Sequence, residues 1–144
     1  MLLSKEIAVD INIAACKLKQ YSAVVLRKSG INLTPEQLLL TDLLWNHGPM
    51  SQQKVADLLH KDKNSVTKFV DALEKKGLVV RQRDTQDRRS NTLVLTASAQ
   101  AMKKEVKEAG ISMLENLLDG IGEEELRNFL STLDKLCENM EKNS

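Results

Sequence analysis

One stretch of the chain, residues 61–95, holds the side chains best suited to bind another molecule. In its first half, apolar residues recur every three or four positions, which is the spacing of one buried helix face. They are Val66, Phe69, Val70 and Leu73. The opposite face carries Asn64, Lys68, Asp71 and Lys75, with Ser65 and Thr67 on its flanks. A short, polar and mostly basic helix face of this kind fits the major groove of B-DNA.

Capping residues mark both ends of this predicted helix, which should span about residues 62–76. Asp62 can accept hydrogen bonds from the first free backbone amides. Gly77 can adopt the left-handed conformation that ends a helix. Lys75 and Lys76 place positive charge at the negative end of the helix dipole.

After Gly77 the apolar spacing changes from helical to alternating, which predicts a β-hairpin with its second strand at residues 91–95. The residues expected to point into the core are Leu78, Val80, Leu93 and Leu95. Those expected to point away from it are Val79, Arg81 and Arg83.

The loop between the strands, residues 84–90, is polar and carries Arg88 and Arg89 at its tip. A cationic hairpin beside a major-groove helix can reach the neighbouring minor groove, where narrow A·T tracts concentrate negative potential. The helix and the hairpin together predict a surface for double-stranded DNA.

The distribution of charge supports the same location. The whole chain carries +1, but residues 51–92 hold ten Lys or Arg against six Asp or Glu, which gives +4. The remaining residues hold eleven against fourteen, which gives −3. Positive charge is therefore concentrated where contact with phosphate is predicted.

Three helices are predicted before this stretch. The first spans residues 4–28 and has an apolar seam with heptad-like spacing. The second spans residues 35–46 and begins with a capping box formed by Thr34 and Gln37, while the third is short and capped by Ser51. The residues expected on the apolar faces are Ile7, Ile11, Ala14, Leu18, Tyr21 and Val25, then Leu38, Leu39, Leu43 and Leu44, and then Val55, Leu58 and Leu59.

A tight connection, residues 60–62, joins the third helix to the polar-faced helix. Two short helices joined in this way form a helix-turn-helix, and the hairpin behind them makes it winged. The predicted fold class is mainly α with a small β-hairpin wing (α+β), in a single domain of 144 residues.

Two long helices are predicted after the hairpin, one from Thr96 toward Leu118 and one that begins with the acidic residues 123–125. The apolar residues of the last helix are Leu126, Phe129, Leu130, Leu133, Leu136, Cys137 and Met140. With the first helix they form more apolar surface than a small winged helix can bury, which usually marks an interface. We predict a homodimer, which could present two recognition helices about 34 Å apart to a palindrome.

The composition, 42% apolar and 28% charged, is that of an ordinary globular protein. The amino-terminal residues lack a signal-peptide pattern and no apolar run is long enough to span a membrane, so a cytoplasmic location is expected. Cys16 and Cys137 lie far apart in helical patterns, and reduced thiols in a core are expected rather than a disulfide.

Residues 48–96 resemble the winged helix of MarR-family (multiple-antibiotic-resistance-type) transcriptional regulators. The matching residues are Asp62-Lys63, Val66-Thr67, Leu73-Glu74-Lys75-Lys76-Gly77-Leu78, Asp87-x-Arg89 and Leu95-Thr96. The wing motif at this distance from the upstream helix is highly specific. The resemblance extends over nearly the whole chain, because that family also has a leading helix and two long trailing helices.

The resemblance implies an obligate homodimer that regulates transcription, most often as a repressor that a small molecule or an oxidant releases from its operator. Residues 1–30 and 97–144 would be dimerisation helices, and residues 33–96 the DNA-binding part. The residues that would face the major groove are Asn64, Ser65, Thr67 and Lys68. Arg89 would enter the minor groove, and Asp87 would orient the wing arginines by a salt bridge.

Two positions depart from the family pattern. His60 stands in the turn where a glycine is common, which bears on the entry angle of the recognition helix. Ala99 stands three residues after Thr96, where a glycine is usual, which bears on the start of the fifth helix.

The sequence offers few signals for an effector site. Tyr21 and Trp45 are candidate walls of a small-molecule pocket, although aromatic residues at helical spacing more often belong to a core. Cys16 lies well inside its helix without tyrosine partners, so a buried, inert thiol is expected. His47 and His60 are the only histidines, and neither a metal ion nor another cofactor is predicted.

The chain has no glycine-rich phosphate loop, HExxH or GxSxG motif, so an enzyme is not predicted. The alternative to a DNA-binding regulator is a winged-helix module that binds another protein, as an antirepressor does. Lys68, Arg88 and Arg89 favour DNA. A salt titration separates the two, because affinity for DNA falls with a log–log slope of about −0.9 per phosphate contacted.

Replacement Arg89→Ala is expected to weaken operator binding by about 1–3 kcal/mol, the range for a well-formed groove contact. The dimer should stay intact, because the wing is not part of the predicted dimer surface. Titration of labelled operator with parent and variant measures the change, and sedimentation checks the assembly. Equally tight binding by both proteins would remove this role from Arg89.

Overall fold

The structure, a computed structural model, describes residues 2–83 and 91–144. Along these residues it has six helices and three strands. The helices are α1 (Leu2–Lys28), α2 (Pro35–His47), α3 (Gln52–Leu59), α4 (Lys63–Lys75), α5 (Ala97–Leu117) and α6 (Glu123–Lys142). The strands are β1 (Met50–Ser51), β2 (Val79–Arg83) and β3 (Asn91–Leu95). This mainly helical architecture with a small sheet confirms the predicted fold class.

Side-chain caps set the starts of α2 and α3, as predicted. Thr34 Oγ1 accepts a hydrogen bond from the Gln37 amide at 3.2 Å, and Gln37 Oε1 accepts one from the Thr34 amide at 3.2 Å. Ser51 Oγ accepts a hydrogen bond from the Lys54 amide at 3.1 Å. Because each cap satisfies amides that have no partner inside the helix, it fixes the residue at which the helix begins.

The strands form an antiparallel sheet in the order β1-β3-β2. The central strand β3 pairs Leu93 with Met50 of β1 and Leu95 with Val79 of β2. The two-residue strand β1 was not predicted, because two residues are too few to show an alternating pattern. Its pairing attaches the hairpin to the start of α3.

Val80 lies on the opposite face of β2 from the one predicted. Val79 is only 2% exposed, whereas Val80 is 46% exposed. Leu78 is buried as predicted, but it belongs to the turn that closes α4, where its amide donates to the Leu73 carbonyl at 2.9 Å. The alternation therefore begins at Val79, and Arg81 shares the inward-facing side of β2.

The core is built from the end of α1 and the segment after it, α2, α3, α4, the sheet and the first part of α5. Its members at or below 1% exposure are Leu40, Thr41, Val55, Val66, Val70, Leu73, Leu93 and Ala99. The predicted burial of Leu39 and Leu58 is wrong, since these side chains are 52% and 48% exposed. Runs of adjacent leucines leave the phase of a helix ambiguous, and Leu40 takes the inward position in α2.

Most of α1 is exposed. Residues 3–20 are exposed, residues 21–25 are half-buried, and Leu26 is buried in the core. The prediction that Cys16 and Cys137 lie in a core is wrong for this chain, since both are exposed. Cys16 precedes the part of α1 that meets the core, and α6, which carries Cys137, has no buried residue.

Polar contacts fix the start of α5. Thr96 Oγ1 accepts a hydrogen bond from the Ala99 amide at 3.3 Å, as predicted, and donates one to the Gly77 carbonyl at 2.7 Å. Trp45 Nε1 donates to the Ala99 carbonyl at 3.2 Å. The alanine that departs from the family pattern is thus fully buried, and its methyl group belongs to the core.

The chain divides into two compact units, Met1–Gly110 and Ile111–Ser144. In the second unit, Phe129, Leu130 and Met140 are 63%, 58% and 61% exposed. None of the described helices is long and apolar enough to cross a membrane. In the apolar stripe predicted for the last helix, Leu126, Leu133 and Leu136 are half-buried, and the other residues are exposed in the single chain.

His60 is the one non-glycine residue with a positive φ in the described parts of the chain, at 52°. It ends α3 in the left-handed conformation, and the next amide, that of Lys61, donates to the Ala56 carbonyl at 3.1 Å. A side chain makes this conformation costly, which explains why a glycine is common here in similar proteins.

Replacement His60→Gly is expected to raise the free energy of unfolding by about 0.5–1 kcal/mol. Relief of the left-handed strain, about 1–2 kcal/mol, exceeds the entropic cost of glycine, about 0.5–1 kcal/mol. Urea denaturation at one fixed protein concentration measures the change. Lys61→Gly is the matched control and should be destabilising, because Lys61 has a negative φ. Equal destabilisation by both replacements would contradict the strain assigned to His60.

Candidate nucleic-acid interface

The two faces of α4 differ as the sequence predicted. Val66, Val70 and Leu73 are fully buried. The outer residues Asn64, Lys68, Asp71 and Lys75 are all exposed, and the flanking Ser65 and Thr67 are half-buried. Burial of one side fixes the rotation of the helix about its axis, so the outer side chains have a defined direction.

Asn64 and Lys68 have side chains that are available for a ligand. In the described part of the chain, neither side chain has a hydrogen bond or an ion pair. An amide that can both donate and accept, four residues from an ammonium group, suits contacts with a base edge and a phosphate.

Ser65 is engaged by the cap of its own helix. Asp62 Oδ1 accepts the Ser65 amide at 2.7 Å, and Asp62 Oδ2 accepts the Ser65 hydroxyl at 3.0 Å. The bond from the Ser65 amide, followed by that from its hydroxyl, lowers the pKa of Asp62 below its ordinary value. The charged cap therefore persists at neutral pH, and its stabilisation is lost only as the pH falls through this lowered pKa. The Ser65 oxygen can still accept a hydrogen bond from a ligand.

Thr67 is held by two neighbours. Its hydroxyl donates to the Lys63 carbonyl at 2.9 Å and accepts a hydrogen bond from Gln52 Nε2 at 2.8 Å. The hydroxyl proton is thus committed within the protein. This contact also joins the first residue of α3 to the middle of α4 and stabilises the angle between the two helices.

Arg81 is a site residue that the sequence analysis missed. Its guanidinium makes ion pairs with Asp71, at 2.7 Å, and with Glu74 on α4. It also donates to the Thr67 carbonyl and to Gln52 Oε1, each at 3.4 Å. The sequence offered one signal, a basic residue in a strand next to a helix with two acids, but the mistaken strand phase pointed Arg81 outward.

The carboxyl end of α4 is attached to the start of α2. Lys76 Nζ donates to Gln37 Oε1 at 2.7 Å and to the Asn32 carbonyl at 3.0 Å. Gln37 is 7% exposed, so its amide oxygen serves both the capping box and this contact. Both ends of α4 are therefore held by polar contacts.

The predicted wing residues Asp87, Arg88 and Arg89 lie outside the described residues. Their roles remain those expected from the sequence. The register of the hairpin that carries them is described up to the pair Arg83 and Asn91.

Trp45 lies in the core, where it is 9% exposed and its indole N–H donates to the Ala99 carbonyl. Tyr21 is half-buried. Their role as pocket walls remains a prediction. Among the described residues, no group of three or more His, Cys, Asp and Glu side chains is placed to hold a metal ion.

A helix-turn-helix with a hairpin wing, whose second helix exposes a polar and basic face, defines a winged-helix DNA-binding protein. Comparison with known proteins identifies the family. The MarR family profile matches residues 33–90. The uncharacterized HTH-type transcriptional regulator YcgE of Bacillus subtilis (strain 168) is 35% identical over 116 residues, which cover 78% of this chain and 73% of YcgE.

Solved structures show the same fold. A MarR transcriptional regulator from Methanosarcina mazei Go1 has a TM-score of 0.83 and 22% identity, with 97% of this chain and 99% of that chain covered. Reduced AbfR, solved bound to DNA, has a TM-score of 0.79 and 24% identity, with 97% and 96% covered. The chain belongs to the MarR family of DNA-binding transcriptional regulators. The members of this family are regulators and not enzymes.

Proposed function

We propose that this protein is a repressor that binds a palindromic operator as a homodimer, with α4 in the major groove and the hairpin, residues 84–90, in the minor groove. Residues 33–96 would form the DNA-binding part, and residues 1–30 and 97–144 the dimerisation helices. The observation that carries the proposal is the outer face of α4, where Asn64 and Lys68 are exposed on a helix whose other side is fully buried.

The sign of the local charge supports contact with DNA. Residues 51–92 carry +4, whereas the rest of the chain carries −3. A module that binds an ordinary protein partner has no need for this separation, while neutralisation of phosphates depends on it. The alternative function is a winged-helix module that binds another protein without DNA, and this distribution of charge does not favour it.

Uncovered apolar side chains support the homodimer. In the first unit they lie mainly on α1, and in the second on the end of α5, on α6 and on the residues between these helices. They include Ile7, Val9, Ile11, Ile13 and Leu18, and then Ile111, Leu114, Leu117, Leu118, Ile121, Phe129, Leu130 and Met140. A second copy of the chain is the occupant proposed for these surfaces, because exposed apolar area on this scale usually marks an interface.

We also propose that a small-molecule effector releases the protein from its operator. The effector would bind near the start of the DNA-binding part, where Tyr21 on α1 is half-buried. This is the region in which α1 meets the core, so a ligand there could favour one position of α1 over another.

The test is selection of bound sequences from random duplex DNA with the full chain, followed by sedimentation of the protein alone. We expect an enriched palindrome whose half-sites are about one helical turn apart, and a dimer in solution. Enrichment of no sequence would contradict the operator. A monomer at micromolar concentration would contradict the homodimer.

Replacement Lys68→Ala is expected to weaken binding to the selected operator and to random duplex DNA alike, because an ammonium group contacts phosphate and carries little sequence information. The log–log salt slope should become shallower by about 0.9, the value for one phosphate contact. Lys103→Ala, at an exposed position of α5, is the charge-matched control, and sedimentation confirms that its dimer is intact. Unchanged binding of both DNAs by the Lys68 variant would exclude this residue from the interface.

A further inference from the structure

Arg81 has the most extensive polar contacts of any side chain in the described parts of the winged helix. Its Nη2 lies 2.7 Å from Asp71 Oδ1 and its Nη1 pairs with Glu74 Oε1. Its Nε donates to Gln52 Oε1 at 3.4 Å, and Nη2 also reaches the Thr67 carbonyl at 3.4 Å. One side chain of β2 thus binds both helices of the helix-turn-helix.

The geometry requires an arginine. All three guanidinium nitrogens have acceptors, and these acceptors lie in different directions on α3 and α4. A lysine ammonium at the same position would hold its three N–H donors on one nitrogen and could not match acceptors spread over both helices. The Arg81 side chain is only 20% exposed, so it is positioned by the protein and is not free to follow a ligand.

The two carboxylates pose an electrostatic problem for DNA binding. Asp71 lies on the outer face of α4, where its side chain is 60% exposed, and Glu74 lies three residues later on the same side of the helix. Without a counter-ion they would repel each other and any phosphate brought near α4. The side chains of α4 carry three positive charges, on Lys63, Lys68 and Lys75, and two negative charges, on Asp71 and Glu74. The net side-chain charge of the helix is therefore only +1.

We propose that Arg81 is a positioning residue for DNA binding, which acts by neutralising Asp71 and Glu74 and by holding β2 against α4. It acts through these carboxylates and not through a phosphate contact of its own. This inference rests on the proposed function, because it assumes that the outer face of α4 meets DNA. Neutralised acids at this point also allow the hairpin strand and the recognition helix to approach the same duplex together.

The experiment compares operator binding by the parent, Arg81→Gln, and Arg81→Gln combined with Asp71→Asn. Arg81→Gln should weaken binding by about tenfold or more, because two unpaired carboxylates then face the duplex. Adding Asp71→Asn restores the original net charge and should return the affinity to within about threefold of the parent. Arg127→Gln removes an exposed arginine from α6 together with its ion pair to Glu123, and it is the control for a change in net charge, with sedimentation to confirm that its dimer is intact.

Restoration of operator binding by Asp71→Asn separates the positioning role of Arg81 from two other roles, namely direct contact with phosphate and stabilisation of the fold. If Arg81 contacted phosphate itself, Asp71→Asn would not restore the affinity, and the salt slope of both variants would be shallower by about 0.9. If Arg81 only stabilised the fold, the circular dichroism and urea midpoint of Arg81→Gln would fall and Asp71→Asn would not restore binding. Either result would overturn the inference.

A second variant covers the case in which Arg81→Gln fails to fold. Arg81→Lys keeps the charge but has one nitrogen, so its affinity should lie between those of the parent and Arg81→Gln, and Asp71→Asn should improve it. Parent-like binding by Arg81→Lys would support neutralisation by charge, whereas weakened binding that Asp71→Asn does not improve would reject the inference. If the parent protein binds no duplex, the proposed function is rejected. If the parent binds its operator and Arg81→Gln binds it as tightly as Arg127→Gln does, only the inference about Arg81 is rejected.

Discussion

The burial of one side of α4 is the constraint on which the rest of the structure depends. Val66, Val70 and Leu73 are fully buried against the other helices and the sheet, and each contributes about 1.5–3 kcal/mol by leaving water. This burial sets the rotation of the helix, and rotation decides which side chains reach solvent. Had the apolar stripe been displaced by one position, Lys68 would move about 100° around the axis and away from a ligand.

Polar contacts then fix the angle between α4 and its neighbouring elements, which apolar burial alone does not determine. Gln52 joins α3 to Thr67, Arg81 joins β2 to Asp71, and Lys76 joins the end of α4 to the start of α2. Such contacts are directional, whereas apolar burial is not, so they can hold a helix at a particular angle. Helix α4 is thus held by the core and by side-chain contacts with α3, β2 and α2. A rigid surface of this kind loses little conformational entropy when it binds DNA.

Local signals allowed much of this fold to be predicted. Caps at Thr34 and Ser51 act over three residues, and a sequence shows them directly. The face of β2 was mistaken because the turn after Gly77 takes up Leu78, and only the closed turn reveals where the alternation begins. The contacts of Arg81 were not predicted for a related reason, since Arg81 and Gln52 are 29 residues apart and meet only in the folded chain. The exposure of Cys16 follows from a property of the whole α1 helix, of which only the last turns reach the core.

The start of α2 is where α1 and α4 are both attached. Lys19 on α1 pairs with Glu36, and the next residue, Gln37, accepts a hydrogen bond from Lys76 at the end of α4. Burial is the largest single effect on the pKa of Glu36 and raises it, but the hydrogen bond with Lys19, a backbone hydrogen bond and the charges of Lys19 and Lys61 together outweigh burial and lower that pKa. The pair therefore stays charged at neutral pH. The two attachments are on adjacent residues of one capped helix turn. The start of α2 thus contacts both the end of α4 and the helix that carries the uncovered apolar seam.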